Sequence, residues 1–579
     1  MKNFLIGLFT GVLVVVLTGI ILVFVVMRVA ASFNDPKPTV ADGSTLILKL
    51  EGDVPEKAAP EIPLPFFEGQ SPMTLHQVWA TLRKAAVDSR IKAVIFEPRR
   101  VGAGWAKMQE IHQELEEFKK TGKPLVAFLR NPGGREYYLA TACDRVYMTP
   151  EDSLDLKGLR VEAMFLKNTL DKLGVKMDVI HAGKYKDAGD MLTQTSMSPE
   201  TREVLNQVLD QYYGDLVTTI ATGRKKQQDE VRAIIDKGPY RAAAALSNGL
   251  VDVVAFEDQV EGEMQKRLNR GDLKKVSHKT YLKVTPQSVG SEGGKRIAFI
   301  VGEGEITRGT GEGPFGSDEG FTSGGFIKLL KQVENDSSIK AAIVRVNSPG
   351  GDGIASDDIL HEVKNLSRKK PLVISMSDLA ASGGYFVAMT GDPIVAYPNT
   401  LTGSIGVLMG RLNLHGLYDK LGIQKQLLTR GRYAALDSDY EDLTADERQK
   451  LREDIDDFYK AFVSRVAEGR KRPYDQIEPL AQGRVWLGAQ GKQNGLVDEL
   501  GGIDRAIELA KQKAHIPANE KITLVTYPPK RNILDMIVNR GDESAAVELK
   551  IRQVLGAFPV QSWTQGGMLK VMPYTITVH

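Results

Sequence analysis

Apolar and polar positions follow two rhythms along this chain. From Asn3 to Met27 no residue is charged, and Leu, Ile, Val and Phe dominate. A run of that length can cross a bilayer core of about 30 Å as a helix, and it exceeds the roughly 7–15 apolar residues of a signal peptide. It predicts a retained membrane anchor over 1–32, although Val29-Ala30-Ala31 resembles a cleavage site. Pro-rich connectors follow at 33–43 and 59–72. From about residue 73 the rhythm changes. Short β-branched runs, such as 94–96 and 126–128, alternate with longer amphipathic segments, such as 108–118 and 359–366. That order predicts βαβ units and a largely parallel sheet.

This second region repeats itself. Asp88-Ser89-Arg90-Ile91-Lys92-Ala93 returns as Asp336-Ser337-Ser338-Ile339-Lys340-Ala341, and Lys123-Pro124-Leu125-Val126 as Lys370-Pro371-Leu372-Val373. Asp171-Lys172-Leu173-Gly174 returns as Asp419-Lys420-Leu421-Gly422, and Asn248-Gly249-Leu250-Val251-Asp252 as Asn494-Gly495-Leu496-Val497-Asp498. The offsets all stay at about 248 residues, which marks a tandem duplication of one α/β domain. The expected organisation is an anchor (1–32), a linker (33–72), a first repeat (73–270), a polar linker (271–295), a second repeat (296–515) and a tail (516–579) with an amphipathic stretch at 534–558. The Gly-rich, acidic stretch 309–325 lacks the G-K-[ST] ending of a phosphate loop and is expected to be a mobile loop.

Composition narrows the chemistry. Net charge is +2 with no long basic block, so there is no electrostatic footprint for nucleic acid. Cys143 is the only cysteine, which excludes an internal disulfide and any two-cysteine metal site. It lies in the apolar run 140–143, where a packed thiol is expected rather than a nucleophile. No cofactor and no metal are expected.

The candidate chemistry centres on Ala380-Ala381-Ser382-Gly383-Gly384, between a β-like run at 371–376 and a helical start at 385–389. A serine at such a junction can present its Oγ, and the amides at the helix start favour developing negative charge. A small-residue packing site has the same pattern. The duplication supplies a control, because matched positions should agree wherever fold alone matters. Aligning Tyr385 with Tyr137 sets Ser382 opposite Gly134, and Asn347-Ser348-Pro349-Gly350-Gly351 opposite Pro98-Arg99-Arg100-Val101-Gly102. Aligning Gly183-Lys184-Tyr185-Lys186 with Gly431-Arg432-Tyr433-Ala434 leaves Lys186 without a counterpart amine. One copy keeps a serine and the other a lysine, as a single composite site would require. The nearest histidines by sequence are less suited as bases: His361 falls on a charged helix, and His415 lacks an obvious orienting carboxylate.

Arg345-Val346-Asn347-Ser348-Pro349-Gly350-Gly351, Ala381-Ser382-Gly383-Gly384-Tyr385 and Leu401-Thr402-Gly403-Ser404-Ile405-Gly406, in this order, closely resemble the signal peptide peptidase A family in its long, duplicated form, also called protease IV. Gly183-Lys184-Tyr185-Lys186-Asp187-Ala188 resembles that family's lysine motif, and Asp352-Gly353 departs from its pattern. The resemblance implies an α/β fold of tandem crotonase/Clp-protease-like domains, built of spiral ββα units behind one N-terminal transmembrane helix. It implies a membrane-anchored serine endopeptidase with a Ser-Lys dyad, forming a homotetramer on the extracytoplasmic face of the cell (inner) membrane. Its substrates would be remnant signal peptides and other extended apolar peptides. Ser382 would be the nucleophile, Lys186 the general base, the amides of Gly350, Gly351 and Gly383 the oxyanion donors, and Ser404 a lysine-orienting residue. An unperturbed lysine titrates near about 10.4, so this role asks for a lowering of roughly three units, or about 4 kcal/mol. The expected side-chain pocket is apolar, from Leu379, Ala380, Ala381, Tyr385, Ile405 and Val407. Two other readings share the pattern: a crotonase-fold acyl-CoA enzyme, and a membrane scaffold without catalysis.

Overall fold

The computed structural model describes residues 11, 13–21, 23, 38–58, 71–310, 320–529 and 569–572. Most of the expected anchor lies outside them; its described part, within 11–23, is helical and exposed. Among the described residues no helix is long and apolar enough to cross a membrane. The amphipathic stretch 534–558 and the middle of the Gly-rich stretch 309–325 also lie outside the described residues.

Each repeat builds one mostly parallel sheet. The first runs, in spatial order, Val253–Val254, Arg145–Met148, Leu125–Leu129, Ile91–Val101, Ser44–Gly52 and Lys275–Ser277, every neighbour parallel. The second follows Val485–Leu487, Leu401–Gly403, Leu372–Ala381, Ile339–Ser348, Lys295–Glu303 and Ile522–Tyr527, with Val485–Leu487 antiparallel. The copies repeat side-chain devices as well as strands. Tyr137 donates its hydroxyl to the Leu250 carbonyl at 2.7 Å, and Tyr385 to the Leu496 carbonyl at 2.8 Å. Arg224 pairs with Asp252 and Arg470 with Asp498, each arginine sitting at the end of a 26-residue helix, Pro199–Arg224 or Ala445–Arg470.

The expected linkers and tail hold structure of their own. Ser44–Gly52 lies within 33–72, Lys275–Ser277 within 271–295, and Ile522–Tyr527 within 516–579. The first of these shows the period-two alternation of a strand, with Leu46, Leu48 and Leu50 almost wholly buried. The other two cover the open edges beside Ser44–Gly52 and Lys295–Glu303, and an edge strand follows its neighbour's ladder more than its own pattern.

The repeats share a buried interface. Trp79 of the first packs against Ile297, Phe299 and Ile343 of the second. Beside it lies a charged cluster with no access to solvent. Arg345, on Ile339–Ser348, donates through Nη2 to Glu56 at 3.0 Å and Glu110 at 2.7 Å, both from the first repeat. Its Nη1 donates to Ser375 Oγ at 2.9 Å. Burial opposes ionisation of Glu56, but Arg345 and Lys107 outweigh it and hold that carboxyl below the usual range. At Glu110 burial wins, and the carboxyl is pushed up in spite of Arg345.

Candidate active site

Three strand pairings assemble the site. Ala381 pairs with Gly403, so Ser382 and Ser404 leave adjacent strands side by side, and the Ser382 amide donates to the Gly403 carbonyl at 2.8 Å. Ser348 pairs with Ala380, which carries the following Gly350-Gly351 toward Ser382. The third pairing crosses between repeats. Lys176–Ala182 of the first runs antiparallel to Val407–Asn413 of the second, with Ala182 opposite Val407. Lys186, four residues past Ala182, therefore meets Ser404, three residues before Val407.

The result is a buried contact between the copies. Lys186 Nζ lies 2.9 Å from Ser382 Oγ, 3.0 Å from Ser404 Oγ and 3.0 Å from the Ser404 carbonyl oxygen. All three residues are fully buried. Burial in low dielectric acts against a charged amine. All three oxygens lie within reach of the amine's N–H groups: the Ser404 hydroxyl and carbonyl and the Ser382 hydroxyl accept from it. Ser382 stands at φ 54° and Ser404 at φ 49°, a sparsely populated region for residues with a side chain. Backbone strain of this kind persists only where the surrounding structure holds it, here at the turn from Leu372–Ala381 into Gly383–Phe386. A Cβ on Gly383 would fall 3.1 Å from Gly350 Cα and 3.2 Å from the Gly351 nitrogen, so the three glycines lie together beside Ser382. The Gly350 amide donates to Ser348 Oγ at 3.2 Å.

Asp187 turns away from its neighbour, its carboxylate accepting from Thr201 Oγ1. Burial pushes this carboxyl up to about 6 against that hydrogen bond. His361 is exposed on Gly353–Lys369, and His415 stacks on Tyr440 at a half-exposed helix start. Cys143 is buried and its thiol is pushed up by burial. Asp352, the departure from the family pattern, caps Gly353–Lys369 by accepting from the Ile354 and Ala355 amides, and it pairs with Arg308. Of the expected pocket residues, Tyr385 is in the core with its hydroxyl on Leu496, and Ala380, Ala381, Ile405 and Val407 are fully buried; Leu379 alone is partly exposed.

Sequence reasoning missed what holds the lysine loop. Arg484 of the second repeat lies between Tyr185 and Trp486, its guanidinium 4.8 and 4.6 Å from the two ring centres. It donates to the Tyr185 hydroxyl at 2.9 Å and to Glu203 at 2.8 Å, while its carbonyl accepts from the Ser404 amide at 2.7 Å. Gly483, at φ +73°, lies against the Lys186 backbone, and a Cβ there would approach within 2.6 Å. The one available signal was Arg484 and Trp486 in a polar stretch, which has no meaning until Tyr185 is known to face it.

Comparison with known proteins agrees with this arrangement of two copies. The model of Peptidase family S49 matches residues 117–270 and again 364–517. The chloroplastic serine protease SPPA of Arabidopsis thaliana is 35% identical over 94% of this chain and 80% of its own length. Protease 4 of Salmonella typhi is 31% identical over 80% of this chain and 76% of its own. A ClpP1 mutant from Listeria monocytogenes covers 36% of this chain and 94% of its own at 17% identity, with a TM-score of 0.23. With the family model matching in both repeats and relatives aligned over most of their length, the chain belongs to Peptidase family S49.

Proposed function

We propose that the chain is a membrane-anchored serine endopeptidase with Ser382 as nucleophile and Lys186 as general base, one from each repeat. The observation that carries this reading is the 2.9 Å contact between Lys186 Nζ and Ser382 Oγ in a fully buried setting. The neutral amine takes the hydroxyl proton as Oγ bonds to the substrate carbonyl carbon. The oxygen that becomes negative is held by the amides of Gly351 and Gly383, with Gly350 beside them. Lys186 then gives its proton to the leaving nitrogen as the C–N bond breaks. In the second half a water attacks the acyl-enzyme, Lys186 takes its proton, and the proton returns to Ser382 as the ester opens. Ser404 directs the amine by accepting its two N–H groups.

The repeats are of the crotonase/Clp-protease type, and the substrates are extended apolar peptides such as cleaved signal peptides. The uncharged run from Asn3 to Met27 supports an anchor, and the extracytoplasmic face and homotetramer follow from the resemblance of its motifs to the long duplicated form. An acyl-CoA enzyme on a similar fold has no use for a lysine against a serine hydroxyl.

A fluorophosphonate probe tests the reading. Wild type should label, and Ser382→Ala should not. Ser382→Ala and Lys186→Ala should each lower peptide hydrolysis by on the order of 10⁴-fold or more, and the double variant should be no worse than either, because the two act as a unit. Substantial hydrolysis by Lys186→Ala at neutral pH would refute the split site.

A further inference from the structure

The strand Leu372–Ala381 does not run straight into Ser382. Val346 lies opposite Met376 and Ser348 opposite Ala380, so Asn347 alone on the neighbouring strand faces three residues, 377–379. A bulge of this kind bends its strand and re-aims the side chains beyond it, and here the chain beyond it leads to Ser382.

Two contacts with the first repeat hold the bulge. Ser377 Oγ donates to Glu56, while the Ser377 carbonyl accepts from Thr400 Oγ1 at 2.7 Å. Asp378 goes to the start of the helix Trp105–Lys119. Its Oδ2 accepts from the Gly104 amide at 3.0 Å and its Oδ1 from the Lys107 amide at 2.8 Å, the N-cap and N3 donors of that helix. One carboxylate from the second repeat thus makes both bonds of a capping box. Lys107 also sets its Nζ 3.9 Å from the same carboxylate.

The duplication shows that the fold itself does not ask for this. The matching helix of the second repeat, Gly353–Lys369, has its own side-chain cap in Asp352. In the first repeat the cap position is Gly104, which has no side chain to offer, and a Cβ there would fall 2.5 Å from Asp378 Oδ2. Gly104 stands at φ −73° and ψ 173°, a conformation open to any residue, so what the glycine provides is room. Counting back from Ser382 and Gly134, Asp378 is matched by Arg130, which pairs instead with Asp152 at 3.3 Å. The copy without the serine has no cap of its own on this helix, and it takes one from the strand that carries Ser382.

We propose that Asp378 is a positioning residue for the nucleophile: by capping Trp105–Lys119 across the repeat interface it fixes the bulge, and through the bulge the direction in which Ser382 meets Lys186. The proposal rests on the reading of Ser382 as the nucleophile.

Variants of the full chain separate positioning from stability. Asp378→Ala removes both cap bonds, and adding Gly104→Asp gives the helix a cap of its own, as Asp352 does in the second repeat. Asp378→Ala should lower kcat and the rate of fluorophosphonate labelling by about ten-fold or more, with KM within about two-fold of wild type, because a misplaced nucleophile acts on the chemical step. The double variant should regain most of the lost Tm yet keep the low kcat and the slow labelling. Asp378→Asn, which keeps the side-chain shape and one acceptor oxygen, should label at a rate between wild type and Asp378→Ala. Hydrogen exchange supplies a readout without catalysis: in Asp378→Ala the amides of 105–108 and of 377–386 should both exchange faster, and Gly104→Asp should protect only the first set again. Labelling at the wild-type rate in Asp378→Ala, or recovery of kcat together with Tm in the double variant, would overturn the proposal while leaving the Ser382 reading intact. Absence of labelling in wild type, with the exchange differences present, would instead overturn the nucleophile and keep the cap's hold on the bulge.

Discussion

Replacing Arg345 with methionine tests how the repeats are held together. The guanidinium is fully buried and bonded to two carboxylates from the other repeat, at 3.0 and 2.7 Å. Removing one partner from such a cluster leaves unpaired buried charge, which costs about 3–5 kcal/mol. The loss should depend on pH. In the wild type, Glu56 is held below its ordinary 4.5, so its contribution is present above about pH 4.5 and is lost as pH falls through the lower folded value. In Arg345→Met burial dominates and moves the same carboxyl upward, so the variant is penalised most at neutral pH and recovers as Glu56 takes a proton. Urea unfolding followed by tryptophan fluorescence, at about pH 7.5 and about pH 5, should show the gap from wild type shrinking at the lower pH. Adding Glu56→Gln and Glu110→Gln should restore stability to within about 2 kcal/mol of wild type, because a neutral cluster needs no counter-charge. A loss below about 1 kcal/mol, or one equal at both pH values, would refute the argument.

Arg484→Met should lower kcat by about ten-fold or more with KM nearly unchanged, and Arg484→Lys should not rescue it, because an ammonium cannot replace the planar stack between Tyr185 and Trp486. Equal kcat in Arg484→Met and wild type would show that the clamp does not position Lys186. His112 should contribute to acid sensitivity. Its Nε2 is 3.1 Å from Thr141 Oγ1, which already donates to the Tyr138 carbonyl, so the ring must donate, and burial pushes its pKa from 6.5 down to about 4. The unfolded chain then takes up a proton that the folded one refuses. Stability present above pH 6.5 is lost as pH falls toward about 4, by up to about 3 kcal/mol. His112→Gln should flatten that part of the stability profile measured by urea titration, and an unchanged slope would rule the ring out.

How much was legible follows from whether a feature is local. Ser382, Gly383 and Lys186 sit in short motifs whose glycines and small residues are visible one by one, and comparison of the copies shows which kept a reactive group. The crossing of Lys176–Ala182 onto Val407–Asn413 is not local: neither segment carries a mark of the other, yet their register brings Lys186 to Ser404. The same holds for Glu56 and Glu110, surface-like residues in sequence that become buried only because Arg345 faces them. Ser44–Gly52 is the opposite case, since the alternation of Leu46, Leu48 and Leu50 was there to be read but was masked by the Pro-rich segments around it.

The first repeat shows how the same scaffold is held where the serine is missing. It keeps the scaffold of the site: Gly133 bridges to Asp155 in the first copy as Ala381 pairs with Gly403 in the second. Gly134 stands where Ser382 does, and its Cβ direction ends 4.0 Å from the Leu156 side chain, so the space beside the missing serine is apolar. Val101 stands where Gly350 does, and its amide donates to Glu136 Oε1 at 2.6 Å, while Glu136 Oε2 accepts from the Gly133 amide at 2.8 Å. A built-in carboxylate thus ties together the counterparts of the Gly350 and Ala381 amides in the first copy; in the second copy the residue matching Glu136 is Gly384, and the Gly350 amide donates to Ser348 Oγ instead. Buried amides pointing into one spot need an acceptor, and leaving them unpaired costs about 1–3 kcal/mol each. The copy without the serine meets that demand with its own glutamate. The copy with Ser382 meets it with a neighbouring hydroxyl, which leaves residue 384 free to be glycine, in close contact with Ser348.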